Sequence, residues 1–165
     1  MKRKLKLAFC LFKYFPYGGL QVNFMNISKE CYNRGYDIDV YTISWDGEKP
    51  DWLNITIMPV SGFSNHAKYQ SFAKRFNERY NNKQYDAVVG FNKMPGLDVY
   101  YAADVLYAAK MKDRSFLHQM TNRYNTLIKL EDSVFRQDAK TQILLLTPKE
   151  RQLYKDYYGT ASNRF

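Results

Sequence analysis

Leu5–Gln21 reads LKLAFCLFKYFPYGGLQ: an apolar run, then Pro16 and a glycine pair, then a new pattern. The run Leu5–Phe12 has the length and apolarity of a buried strand. Beyond it Leu20, Phe24, Ile27 and Cys31 recur at helical spacing as far as Arg34, and Gly35 stops the helix. Gly18 and Gly19 therefore sit where a strand hands over to a helix. A glycine pair there serves one of two ends. It permits a turn that only glycine adopts, or it lets a large group approach the backbone at a helix start, where free N–H groups favour anions. The stretch is not GxGxxG and no GK[ST] follows, so a dinucleotide or ATP site of those kinds is not expected.

The alternation continues along the chain. Tyr36–Ser44, YDIDVYTIS, reads as a second strand, and WDGEKPD as a turn. Leu53–Val60, LNITIMPV, reads as a third strand. A polar helix over Ala67–Asn81 places Tyr69, Phe72, Phe76 and Tyr80 on one face. Ala87–Phe91, AVVGF, reads as a buried parallel strand, and after NKMPG the segment LDVYYAAD is a short strand ending at Asp104. Residues 107–136 read as one or two helices and Ile143–Thr147, ILLLT, as another buried strand. A last helix then follows, with Pro148 as its first residue and Thr147 as its N-cap. Strands and helices in this order give an α/β fold with a mostly parallel sheet. No internal repeat or low-complexity segment interrupts it.

The 165 residues suffice for one domain with a sizeable core. The net charge of +9 favours anionic partners: phosphates, nucleic acid or an acidic bilayer surface. The 15 Tyr and 11 Phe exceed what a core alone calls for and also suit a sugar-binding or membrane-facing surface. Cys10 and Cys31 make no disulfide framework, and Cys10 reads as a buried small hydrophobe, as in a reducing cytoplasm. The start MKRKLKLAFCLF is basic then apolar, like a leader, but the apolar run is short and Lys13 ends it. It reads as a basic tail before a buried strand. No stretch approaches the length of a membrane span.

In an open parallel sheet, ligands bind beyond the carboxyl ends of the strands. Gly18 and Gly19 lie at that edge, and so does NKMPG. Asn92 and Lys93 have the donors to hydrogen-bond sugar hydroxyls or pair with phosphate. Asp104 either points into the same crevice or caps the helix after it. His66 precedes the second helix, as a ligand contact or as a surface or capping residue. His118 reads as surface. Neither histidine has partners at metal-ligand spacing, so no metal is assigned, and no cofactor.

Four stretches, AFCLFKYFPYGGLQ, GYDIDVYTISWDG, VVGFNKMPGLDVYYAADV and LLLTPKE, resemble the N-terminal half of the lipopolysaccharide glucosyltransferase I family. These are retaining, metal-independent GT-B enzymes of glycosyltransferase family 4. The resemblance covers nearly the whole chain in register, and the segment Phe91–Asp104 is its most specific part. It implies a Rossmann-like domain with helices on both faces. It also implies transfer of glucose from UDP-glucose to the inner-core heptose of lipopolysaccharide. By the same resemblance Gly18 and Gly19 approach the donor diphosphate across a cleft, and Asp104 lies beside the reacting sugar. His66 matches an Asn-His of the family and is an acceptor contact. Asn23 stands where the family has an acidic residue, so a donor-hydroxyl contact there lacks the charge. The family's donor-binding Arg/Lys pair and Glu-containing motif have no counterpart here. The expectation is a single acceptor-side domain over 1–165, without the donor-binding domain and inactive by itself.

Lys110–Arg136 mixes Phe116, Leu117, Met120, Tyr124, Leu127 and Ile128 with six basic residues, as an interfacial helix on anionic lipid does; the alternative is a helix packed on its own sheet. The membrane-embedded acceptor of the resembling family favours the lipid surface. It implies a cytoplasmic protein peripheral to the inner leaflet of the inner membrane, with no nucleic-acid partner. A reading of another class is a non-catalytic, basic Rossmann-like module that holds an anionic glycolipid or nucleic acid.

Overall fold

The opening apolar run forms strand β1 (Lys6–Tyr14), which extends two residues past the expected end. Its side chains alternate. Leu7, Phe9 and Leu11 enter one core, and Ala8, Cys10 and Phe12 the other. Both faces of the strand are therefore covered, as its unbroken apolarity requires. The computed structural model describes residues 3–80 and 84–165. Met1 and Lys2 of the expected basic tail, and Asn81 at the expected end of the second helix, lie outside the described residues.

Helix α1 (Gly19–Asn33) covers the first face through Phe24, which meets Phe9 and Phe91 at ring separations of 6.2 and 5.0 Å. Gly35 ends it with a φ of +84°, a conformation that costs glycine little. Strands β2 (Asp37–Trp45) and β3 (Asn54–Ile57) follow, then helix α2 (Asn65–Arg79). The aromatic stripe of α2 does what its spacing predicts. Phe72 and Phe76 are buried against the second face, and Tyr69 stacks on Phe12 at 4.3 Å.

Strands β4 (Ala87–Gly90) and β5 (Val99–Ala102) come next. Residues 107–136, expected as one or two helices, form three: α3 (Tyr107–Lys110), α4 (Phe116–Gln119) and α5 (Asn122–Phe135). Thr121 starts the last of these, its side chain accepting from the Tyr124 N–H. Strand β6 (Gln142–Leu145) precedes a 3-10 turn that begins at Pro148 and runs into α6 (Arg151–Tyr158). Thr147 occupies the cap position of that turn, but its hydroxyl makes no cap hydrogen bond.

All six strands are parallel, in the order β3-β2-β1-β4-β5-β6. This is the doubly wound Rossmann arrangement, with α1 on one face and α2, α5 and α6 on the other. Two crossovers, residues 46–53 and 91–98, contain no helix. The second is a packed plug. Met94 and Leu97 are buried, Asn77 of α2 donates to the Pro95 carbonyl at 2.9 Å, and the Asp98 carboxylate accepts from the Val88 N–H at 2.7 Å. At the far end Arg164 is buried and donates to the carbonyls of Val134, Phe135, Arg136 and Thr141. It so satisfies the open carbonyls at the end of α5.

The amino edge of the sheet holds a closed polar network. Tyr85 donates to Asp39 at 2.8 Å and meets the Tyr41 hydroxyl at 2.5 Å, while Lys6 and Asn54 complete the carboxylate's partners at 3.0 and 2.8 Å. Burial and these partners push the Tyr85 phenol far up. Asp39, Tyr41, Tyr85, Lys6 and Asn54 thus engage one another at this edge.

Candidate functional site

The strand order reverses between β1 and β4, and a crevice opens beyond their carboxyl ends. A cleft of about 560 Å³ lies there. Its walls come from the end of β1 (Phe12, Lys13), the loop after β4 (Asn92, Lys93), the loop after β5 (Ala103–Val105), Tyr69 of α2, and α3 and α5.

Neither glycine of the pair needs a left-handed backbone. Gly18 has φ −85° and ψ 138°, and Gly19 is not among the positive-φ glycines. Their reasons differ. A Cβ on Gly18 would fall 1.9 Å from Gln21 Oε1 and 2.7 Å from the Phe15 ring, so Gly18 makes room for side chains of its own loop. Gln21 is buried and donates to the Lys13 carbonyl at 3.0 Å, which fixes the end of β1 against α1. A Cβ on Gly19 would meet nothing within 4 Å. Gly19 thus leaves an open approach to the first turn of α1, which carries no acidic residue.

Asn92 accepts from the Phe12 N–H at 2.7 Å, which pins the loop after β4 to the end of β1. Its carboxamide N–H groups are left for the cleft that it lines. Lys93 also lines the cleft, but its ammonium is largely committed. It donates to Glu131 Oε2 at 2.7 Å and to the Val105 carbonyl at 2.9 Å.

Glu131 is the residue that sequence reasoning passed over. It is fully buried, and each carboxylate oxygen has two donors. Oε2 accepts from Lys93 and from the Tyr107 N–H at 2.5 Å; Oε1 accepts from the Ala108 N–H at 2.9 Å and the Tyr158 hydroxyl at 2.8 Å. Burial, reinforced by Glu131, pushes the Tyr158 phenol far up. One carboxylate so ties the loop after β4, the start of α3, and α6 to α5. The signal was present: Glu131 falls among Leu127, Leu130 and Val134 on the apolar stripe of its helix, a place where a carboxylate must find partners.

Glu131 also decides between the two readings of Asp104. The cap position of α3 is Leu106, and the free N–H groups of its first turn go to Glu131. Asp104 is not a helix cap. It is exposed, lines the cleft, and makes no hydrogen bond or ion pair among the described residues.

His66 lies on the first turn of α2, its Nε2 3.1 Å from Ser64 Oγ, and the cap of that helix is Ser64. It lines a separate cavity, which shares Tyr69 and Leu127 with the cleft. Asn23 is half-buried one turn along α1 from Gly19, outside the lining of the cleft. The structure so brings Asn92, Lys93 and Asp104 together, while Gly18 and Gly19 lie outside the lining, between its residues Phe15 and Gln21. His66 stands in the neighbouring cavity. Cys10 is buried, and burial pushes its thiol well up, so it is not a nucleophile.

This fold and crevice define a Rossmann-like α/β domain with a ligand-sized cleft at the switch point of its parallel sheet. The chain is similar to the lipopolysaccharide glucosyltransferase WaaG of Escherichia coli K12, at 41 % identity over 160 residues, which is 96 % of this chain and 43 % of the relative. A crystal structure described as WaaG, a glycosyltransferase involved in lipopolysaccharide biosynthesis, superposes with a TM-score of 0.88 at 40 % identity, again over 96 % of this chain and 43 % of that one. The chain spans less than half the length of the relative it matches. No protein-family profile matches it.

Proposed function

We propose that this chain is the acceptor-side domain of a lipopolysaccharide core glucosyltransferase, which moves glucose from UDP-glucose to an inner-core heptose with retention. The observation that carries this reading is Asp104: a free carboxylate at the switch-point crevice, on a segment held from below by the Lys93–Glu131 pair. The Asn92 amide and Asp104 hydrogen-bond the acceptor sugar and orient the hydroxyl that attacks. The open backbone at Gly19 receives the donor diphosphate at the start of α1. Retention means that the new bond forms on the face from which the diphosphate leaves. The groups that hold the rest of UDP-glucose belong to a second, donor-binding domain.

The test joins residues 1–165 to the donor-side segment of the WaaG relative and measures glucose transfer to a heptose-terminated core. Asp104→Asn is expected to lower kcat at least about 100-fold with normal folding. The 165-residue chain alone is expected to transfer none. An Asp104→Asn fusion of unchanged kcat defeats the reading.

The carboxyl edge also carries an apolar rim. Tyr17, Phe63, Val105, Phe116, Leu117 and Met120 are exposed, and Lys110, Lys112 and Arg114 precede α4. Within residues 110–136, α5 packs on the sheet through Leu130, Val134 and Phe135, while α4 shows its apolar side chains to solvent. No helix among the described residues is long and apolar enough to cross a membrane. The rim docks on the anionic surface that bears the acceptor. Vesicles with anionic lipid are expected to bind the protein and release it as salt rises, and Phe116→Ser/Leu117→Ser to weaken binding at all salt concentrations. Equal binding to neutral vesicles contradicts the electrostatic part.

A further inference from the structure

Next to the cleft lies a second cavity of about 400 Å³, lined by Ser64, Asn65, His66, Tyr69, Arg123 and Leu127. Its chemistry is the opposite of that at Asp104. The lining has a guanidinium, an imidazole, a carboxamide and two hydroxyls, and no carboxylate. Asn65 also accepts from Lys13 at 3.1 Å, which brings a further cation to the seam between the two cavities.

Arg123 forms no ion pair among the described residues. Its position is not one its own helix favours, since it is the second residue of α5, where the helix dipole disfavours a cation. Tyr69 stands between the two regions. Burial raises its phenol, Arg123 lowers it and Asp104 raises it, so the hydroxyl feels both charges. Its ring is held by the stack on Phe12, which makes it a fixed partition that both cavities share.

We propose that the cavity at His66 and Arg123 binds an anionic substituent, a phosphate monoester or a carboxylate, on the saccharide whose reacting sugar lies at Asp104. The proposal rests on the acceptor-side reading above and adds to it the chemistry of a second subsite. The guanidinium pairs with two anionic oxygens, and His66 and the Asn65 amide supply further donors. Tyr69 packs against the sugar between the two ends.

The test reads binding, not transfer. The 165-residue protein is titrated with glucose 6-phosphate, glucuronate and glucose, and with inorganic phosphate alone. Affinity is read by calorimetry, and location by the NMR signals of the Arg123 Nε–H and the His66 ring. Glucose 6-phosphate, glucuronate or both are expected to bind at least about tenfold more tightly than glucose and to move both signals. The tighter of the two anions assigns the substituent. Arg123→Gln is expected to remove that tenfold advantage, and Arg123→Lys to restore part of it. Arg123 is exposed and unpaired, so neither variant threatens the fold. Equal affinity for charged and neutral sugars overturns the proposal, as does an anion preference that survives Arg123→Gln. Anion binding here with no glucose transfer by the fused enzyme would overturn the glucosyltransferase reading and keep the anion site. Transfer without anion preference would overturn the site alone.

Discussion

Glu131→Ala is expected to destabilise the domain by about 3–5 kcal/mol, a large part of the roughly 5–15 kcal/mol that holds a domain folded. The cause is what the substitution leaves behind. The Lys93 ammonium, 11 % exposed, loses its counter-charge, and two backbone N–H groups and the Tyr158 hydroxyl lose their acceptor. Thermal unfolding followed by circular dichroism should show a midpoint lower by roughly 10 °C or more. Lys93→Met strands the carboxylate instead and should also destabilise, but less, because three other donors remain on Glu131. The pair changed together should cost clearly less than the two single losses added, since neither charge is then left alone. A Glu131→Ala loss under about 1 kcal/mol contradicts this account of how the Asp104 segment is held.

Gly19→Ala is expected to separate stability from activity. No atom lies within 4 Å of the added methyl, and Gly19 is the first residue of α1 with an ordinary helical backbone. Alanine there should leave stability unchanged or raise it by about 0.4–1 kcal/mol, because it restricts the unfolded chain. On the proposed reading, the same methyl would stand in the path of the donor diphosphate in the fused two-domain enzyme. The KM for UDP-glucose should rise, or kcat fall, by about tenfold or more. Gly18→Ala gives the contrasting result, a loss of stability, since its methyl collides with Gln21 and Phe15. Unchanged kinetics in a normally folded Gly19→Ala enzyme rule out the phosphate role.

The elements whose burial follows a simple period were legible. The alternation of β1 between two cores and the aromatic face of α2 follow from spacing alone. The crossovers over 46–53 and 91–98 join parallel strands without a helix, so nothing in their turn residues marks the parallel pairing on either side. Residues 107–136 contain no Gly or Pro, and their division into three helices turns on small features such as the Thr121 cap.

The site was legible in part. Asn92, Lys93 and Asp104 lie on loops after adjacent strands, so topology alone gathers them. The commitment of Lys93 to Glu131 was not legible, because Lys93, Tyr107 and Tyr158 come from three distant parts of the chain. Gly18 and Gly19 read as equals in sequence. Only the side chains around them separate a packing glycine from an open one.

The most direct test of the central claim maps a heptose-terminated core oligosaccharide onto the 165-residue protein by amide NMR shifts. The account predicts shifts at the carboxyl edge, in Phe12–Phe15, Asn92–Lys93, Ala103–Tyr107 and the first turn of α2, and a weakened response in Asp104→Asn. Shifts confined to the amino edge around Asp39 and Tyr85, or none at saturating oligosaccharide, would contradict it.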